Sequence, residues 1–523
     1  MNKFKNFSTL LALMLGIFAV SIIFVRPVLE TWGVIAWFRP TPPGLGMWEV
    51  WLKTIFNEGT QSRPFQVIGW VIGIQFGRVL PFDFATNSIF GIAIFHGLIT
   101  VFKFVLIYKS LPKNTENNIK YLVCLIGIYP AVWPGILNPQ SLSLTVSSLF
   151  FLSFLYFFIK FLKSNNKKHL YLIFISFFLM MNIYQGLILS IVFVFILALI
   201  LNRFSKPLHK LKIYKLMGAT TASFLTYGAY LYVQFIRLGD LGYETSGAAG
   251  RNLKSLVISF FPGVINIYQT LFRESPIINI VWFATMYILF KQISKNFFTP
   301  KLVLIFLTIT PLTSLIFFLN QEWLNDPNRV LFPTSFSLLS FLLLLLNHQD
   351  MHVDESFESK NKFGRTQTSK YKPPKLSVCI TVFVLSQIVI GVYSHGNLVR
   401  QNFDNQKEIV KLVKTQINFM TEKKVLIRDF TQEIGDYYFF FGQGSVLNVA
   451  LQAEGITSNI MFCTPLFPGE NFRVEHRQAL IRKIGNGPQT HPGSCLEGRF
   501  LKGNYAEIYE LTKVEGEYVL KVN

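Results

Sequence analysis

Glu30 follows an apolar run by about five residues in the string RPVLETW, and a carboxylate at that depth loses part of its water, which raises its basicity and suits it to take a proton from a hydroxyl. The same letters also allow an ordinary ion pair with Arg26. Arg63 comes next, at the opening of RPFQ after EGTQS, with Glu49 and Glu58 in the stretch before it. Its guanidinium fork matches a phosphate bidentately, or snorkels to lipid headgroups. Arg329 closes the turn NQEWLNDPNR, and Asp326 precedes it. A cation there suits a lipid-linked phosphate, while an Asp326–Arg329 pair explains the same residues. Arg251, with Tyr243 and Glu244, stands in the glycine-containing GDLGYETSGAAGRN, where a substrate contact and a plain solvated loop read alike. His96 lies in the middle of GIAIFHGLIT, and a polar ring inside such a run faces a bundle interior, more as a structural hydrogen-bonding group than as a catalyst. No phosphate loop, His-Glu-x-x-His helix, Gly-x-Ser-x-Gly elbow or CxxC pair is present, and no Asp-x-Asp plainly holds a divalent metal. Metal dependence stays open.

The elements that position these groups are apolar ones. The chain is 51% hydrophobic and 15% charged, with 54 phenylalanines among 523 residues, which points to lipid as its main solvent. A spanning helix needs about 20 mostly apolar residues. Such stretches recur at 8–25, 86–108, 118–137, 140–159, 169–185, 187–202, 213–236, 276–290, 302–319, 330–347 and 377–394. The fold class read from them is an all-α polytopic membrane protein of about eleven helices, with a small C-terminal α/β or α+β soluble domain. The first run has a basic start but Arg26-Pro27 where a cleavage site would need small residues, so it reads as an uncleaved helix. Residues 169–202 read as two short helices turning at Tyr184-Gln185-Gly186. Residues 64–80, PFQVIGWVIGIQFGRVL, carry Gln66, Gln75, Arg78 and three glycines, and read as an amphipathic helix on the outer surface; their apolar content also permits a span, which would put the N-terminus outside and the 26–63 loop inside.

The net charge of +21 would suggest nucleic acid in a soluble protein. Here 23 of the 49 basic residues fall at the N-terminus and in alternate loops, beside only five acids, so those segments hold +18 of the total. The groups are Lys109 to Lys120, Lys160 to Lys168, Arg203 to Lys215, Lys291 to Lys301 and Lys360 to Lys375, with Lys3 and Lys5. That is the positive-inside pattern, which excludes a nucleic-acid partner and places the N-terminus in the cytoplasm. The long loop 26–85, the loop 237–275 and the turn 320–329 then lie outside. So does the segment after residue 395, giving a membrane domain over 1–395 and a non-cytoplasmic domain over 396–523. The only Asn-x-Ser/Thr sequon, at Asn6, falls on the cytoplasmic side and leans toward a bacterial plasma membrane.

In the C-terminal domain a helix over about 402–420 precedes strand-like runs at VLIRDF, SVLNVAL and SNIMFC, and a closing pair joined at Glu515-Gly516. Cys124 and Cys379 lie in apolar runs, whereas Cys463 and Cys495 lie in this domain, in an oxidising compartment, and are expected to pair.

The order of these features resembles the GT-C superfamily of membrane glycosyltransferases that use polyprenyl-phosphate sugars, over roughly residues 8–347. The closest branch is the one that includes protein O-mannosyltransferase-like enzymes. Glu30-Thr31-Trp32 follows the first span, Arg63-Pro64 opens a surface helix ending near Gly77, His96 sits in the next span, and Pro130 ends the one after it. The chain departs from the family in having a single Glu where an Asp or paired acids are common.

The resemblance implies sugar transfer from a polyprenyl-phosphate donor to a glycan, lipid or protein acceptor in an outer-face cavity. Glu30 would be the general base. Arg63 and Arg329 would hold the donor phosphate, with Glu58, Asp326 and Arg251 as further substrate contacts. Two rivals remain. An O-antigen polymerase or ligase would put its catalytic loop at 237–275, and a glycolipid transporter or flippase would line a path with intramembrane charges, of which the spans offer only Lys103 and His96.

Overall fold

The computed structural model describes residues 63–66, 68–82, 84–128, 142–203, 208–238, 260–269, 284–290, 300–319, 327–360, 404–405, 407–417, 424–431, 460–463 and 503–523, with isolated positions at 8, 12, 16, 381–382, 385 and 451. They are mostly helical, with one small sheet. Among the helices are α1 Ile68–Gly77, α2 Phe84–Ser110, α3 Asn117–Ile128, α4 Leu142–Ser164, α5 Lys167–Ile183, α6 Ile188–Arg203, α7 Leu208–Leu238, α8 Pro300–Ile309 and α9 Pro327–Lys360. A 3₁₀ turn, Gln185–Leu187, joins α5 to α6, and a 3₁₀ stretch, Thr310–Leu319, continues α8. Two helical stretches, Thr86–Ser110 and Ser143–Ser164, are long and apolar enough to cross a membrane. Shorter apolar helices are Ile68–Gly77, Gln185–Leu201, Leu304–Leu315 and Phe332–His348.

Local chemistry sets the boundaries. Asn165 takes a left-handed φ of 51° between α4 and α5, and Asn166 caps α5 by accepting from the Lys168 N–H at 3.0 Å. Extended backbone at Tyr184 ends α5, so the long apolar run folds as two helices about the Tyr184-Gln185-Gly186 turn that the charge pattern requires.

The segment at 64–80 differs from the sequence expectation. It is not an amphipathic helix laid on a surface: α1 packs antiparallel along the first half of α2, and Gly69, Trp70, Val71, Gly73, Ile74 and Gly77 are buried. The glycines explain it. A Cβ on Gly91 would stand 2.1 Å from the Gly73 carbonyl and 2.3 Å from the Gly77 nitrogen, so the two backbones touch. Asn87 seals the turn, donating to the carbonyls of Leu80 and Phe82 at 2.9 Å and accepting from the Phe82 N–H at 3.2 Å.

Phenylalanines fill the interior, with Phe151 against Phe336 at 5.6 Å, Phe154 against Phe195 at 6.3 Å and Phe290 stacked on Phe341 at 4.4 Å. Apolar residues also cover the outside, among them Ile175, Ile196, Phe224, Leu225, Val233 and Ile236. Burying Phe inside while exposing Ile and Leu outside is unfavourable in water and neutral in lipid. Interhelical hydroxyls supply specific contacts: Ser337 Oγ bonds Ser190 Oγ at 3.0 Å and Thr313 Oγ1 at 3.2 Å.

The helices define two ends. At one, Asn347 Nδ2 donates to the Ser110 carbonyl at 2.8 Å, His348 Nε2 lies 3.1 Å from the Leu201 carbonyl, and Lys212 Nζ donates to the Leu162 carbonyl at 2.6 Å. Lys109, Lys113, Lys163, Lys167 and Lys168 gather there, beside the short links 111–116 and 165–166. At the other, Ser147 Oγ donates to the Tyr184 carbonyl at 2.9 Å and Ser190 Oγ to the Pro333 carbonyl at 3.3 Å.

The sheet has strands β1 Val425–Asp429, β2 Ile460–Cys463, β3 Glu507–Val514 and β4 Glu517–Val522, in the order β2-β1-β3-β4. β1 runs parallel to β2 and β3, while β3 and β4 form an antiparallel hairpin. Its two turn residues, Glu515 (φ 53°) and Gly516 (φ 91°), are both left-handed, which matches the twist of a two-residue hairpin. The helix 407–416, with Ile409, Val410 and Val413 buried, precedes β1. Of the strand-like runs, SVLNVAL lies outside the described residues except for Leu451, which is helical.

Candidate functional site

Arg63 is the one predicted substrate contact whose side chain is described. It immediately precedes the buried Pro64, and the backbone around it is fixed: the Gln66 N–H donates to the Arg63 carbonyl at 2.9 Å and the Phe65 N–H to the Asn182 carbonyl at 3.2 Å. The second bond ties the start of the α1 hairpin to the last turn of α5. It brings the half-buried guanidinium over the Tyr184 ring, 5.1 Å from its centroid. A cation on an aromatic face is held by the ring's negative centre, and a guanidinium fork matches the oxygens of a phosphate.

Tyr184 is anchored from behind by Ser147, and the next residue, Gln185, donates from Nε2 to the Tyr227 hydroxyl of α7 at 2.5 Å. Close by in the fold, His96 Nε2 meets Thr145 Oγ1 at 2.6 Å, linking α2 to α4 in full burial. The second turn of α9 is held by the Ser190 contact to Pro333, three residues beyond the Tyr184–Leu187 turn. Arg329 sits in the first turn of that helix, so the fold brings the α9 N-terminus and the Arg63–Tyr184 pair to the same end of the bundle. A helix N-terminus carries partial positive charge, which adds to the attraction for an anion.

Arg63 is the described cation at Tyr184, and the single acid among the described side chains of residues 63–348, Glu116, belongs to the lysine-rich end. Arg63 differs in chemistry from the lysines of the other end: a guanidinium pairs bidentately with phosphate oxygens.

Glu30, Glu58, Asp326 and Arg251 lie outside the described residues, as does Cys495. Cys463, at the buried end of β2, is disulfide-bonded, whereas Cys124 is a free thiol buried in α3. Among the described residues no group of three or more His, Cys, Asp or Glu side chains could hold a metal ion. Gln185, Tyr227 and Thr145 were missed as site residues by the sequence reading. Their signal was there as polar groups inside apolar runs, but only the fold shows that they meet.

No protein-family model matches the chain, and no curated protein matches it. Among the described residues the chain is mostly helical, with two helices long and apolar enough to cross a membrane, a small mixed sheet, and Arg63 set over the Tyr184 ring.

Proposed function

We propose that the protein is a polytopic membrane glycosyltransferase of the GT-C kind, with about eleven spans, moving a sugar from a polyprenyl-phosphate donor to a glycan, lipid or protein acceptor on the outer face of the plasma membrane. The observation that carries the reading is the Arg63 guanidinium held over Tyr184 at the end of the bundle where α9 begins with Arg329. That end lies opposite the lysine-rich loops, so the positive-inside rule turns it outward.

In this reading the acceptor hydroxyl gives its proton to Glu30 as its oxygen attacks the anomeric carbon. The bond from that carbon to the phosphate oxygen breaks, and its electron pair leaves with the polyprenyl phosphate. Arg63 and Arg329 meet the negative charge that grows on the leaving group, an interaction stronger in the transition state than in the ground state. One displacement inverts the anomeric centre. The apolar outer faces of α5, α6 and α7 suit a substrate that arrives through lipid.

The test is a transfer assay on the purified full chain with a panel of undecaprenyl-phosphate sugars and Glu30→Gln and Arg63→Ala variants. Loss of Arg63 should lower transfer by about 100-fold, in the range seen on removal of one transition-state donor. Full transfer by folded Glu30→Gln protein removes Glu30 as the base, and full transfer by Arg63→Ala removes the phosphate clamp.

A further inference from the structure

Tyr227, Tyr230 and Gln234 share one face of α7, at positions i, i+3 and i+7. Gln185 fixes which way that face looks, because its amide reaches the Tyr227 hydroxyl at 2.5 Å. The Tyr227 and Tyr230 rings lie 6.4 Å apart at 28°, and Gln234 hydrogen-bonds the Tyr230 phenol. The sequence along this wall is therefore amide, ring, ring, amide, starting one residue from the Tyr184 ring that carries Arg63.

Both amides are incompletely used. Gln185 Oε1 and Gln234 Oε1 are buried and have no hydrogen-bond partner among the described residues. Turning either amide round only exchanges which end is left over, since among the described residues a single partner meets each side chain. Buried amide groups almost always find partners, so two on one wall call for a ligand rich in hydroxyl groups. Aromatic faces between them suit the C–H face of a sugar ring, whose hydroxyls then point to the amides at its edges.

We propose that Gln185 and Gln234, with the Tyr227 and Tyr230 rings between them, form the subsite for the sugar of the lipid-linked donor, beside the phosphate clamp at Arg63. The proposal rests on the transferase reading above. A glycosyl phosphate joins sugar to phosphate through one oxygen, and Gln185, where the wall begins, is the chain neighbour of Tyr184, whose ring carries Arg63. Gln185, Gln234 and Tyr227 are then specificity-determining residues, and the leftover amide atoms are where the donor's hydroxyls bind.

The experiment measures equilibrium binding to the full chain in lipid nanodiscs, using bare undecaprenyl phosphate and a panel of its hexosyl and pentosyl esters. At least one ester should bind about tenfold tighter than the bare carrier, an increment of about 1.4 kcal/mol. Gln185→Leu and Gln234→Leu should each remove most of that increment and leave bare-carrier affinity within about twofold, since a bare carrier never meets the wall. Tyr227→Phe keeps the ring and its packing, frees the Gln185 amide to swing, and carries the test if the leucine variants fail to fold. An increment retained in all three variants overturns the subsite. Equal binding of bare carrier and every ester by the unaltered protein also overturns it and leaves the carrier reading standing. Binding of neither overturns the carrier reading and the subsite together.

Discussion

His96 Nε2 and Thr145 Oγ1 lie 2.6 Å apart in a fully buried contact between α2 and α4, residues 49 positions apart in the chain. The other ring nitrogen, Nδ1, is buried with no hydrogen-bond partner among the described residues. The imidazole thus depends on one hydroxyl, which makes His96 a clasp between helices. Thr145→Val would leave both ring nitrogens unpaired in an apolar interior, at a cost of about 1–3 kcal/mol. A lowered thermal midpoint in Thr145→Val, restored in Thr145→Ser, is the expected result. An unchanged midpoint in the valine variant shows that the clasp contributes nothing.

Two glycines should respond in opposite directions. Gly91→Ala places a methyl group 2.1 Å from the Gly73 carbonyl, in backbone that cannot step aside alone, and should destabilise the α1–α2 hairpin by about 1–3 kcal/mol. Gly218→Ala meets nothing within 4 Å on α7 and should stabilise by about 0.5–1 kcal/mol through helix propensity. Equal effects of the two substitutions on thermal unfolding would contradict the close approach of α1 and α2.

Lys103 is 2% exposed, its ammonium finds no hydrogen-bond partner among the described residues, and its nearest described compensation is the Phe336 ring at 5.7 Å. A cation–π contact of about 2 kcal/mol does not offset the several kcal/mol of a buried charge. Lys103→Met, similar in shape and uncharged, should therefore stabilise the protein by about 1–4 kcal/mol. A loss of stability on the same substitution would reveal a counter-charge against the ammonium.

Burial, with help from the neighbouring Glu507 carboxylate that accepts its hydrogen bond at 2.8 Å, holds the Tyr509 phenol above its ordinary range. A raised folded value means that the protonated phenol is favoured by folding. Its stabilising contribution is complete below about pH 10, the unfolded value, and is lost as pH rises through the folded one. Stability against pH should fall on the alkaline side, and Tyr509→Phe should flatten that limb. A limb of equal slope in the variant would place the ionisation elsewhere.

Thr60 lies three residues before Arg63, so its side of the membrane fixes that of the phosphate clamp. Thr60→Cys should react with a membrane-impermeant thiol reagent in intact cells, read against the unaltered protein as blank. Reaction only after lysis would put the Arg63 end in the cytoplasm and remove the main support for the proposed function.

The sequence by itself determined the apolar helices that lie among the described residues. Their apolar length and the lysines at alternate turns are local properties, readable wherever hydropathy and charge change sign together, as at Lys160 to Lys168. The hairpin at Glu515-Gly516 was equally local, since two left-handed residues between alternating strands admit one turn. The α1 segment was misjudged for a physical reason: Gln75 and Arg78 suggested a wet surface, but Gly73, Gly77 and Gly91 let two backbones meet, and a contact between residues 73 and 91 leaves no periodic mark in either segment. Only the tertiary structure decided that Arg63 stands over Tyr184, that Gln185 reaches Tyr227 and that His96 meets Thr145. Each of these is a polar contact between separate helices, and which polar residues meet inside a bundle is set by rotation and depth of packing, quantities that hydropathy does not encode.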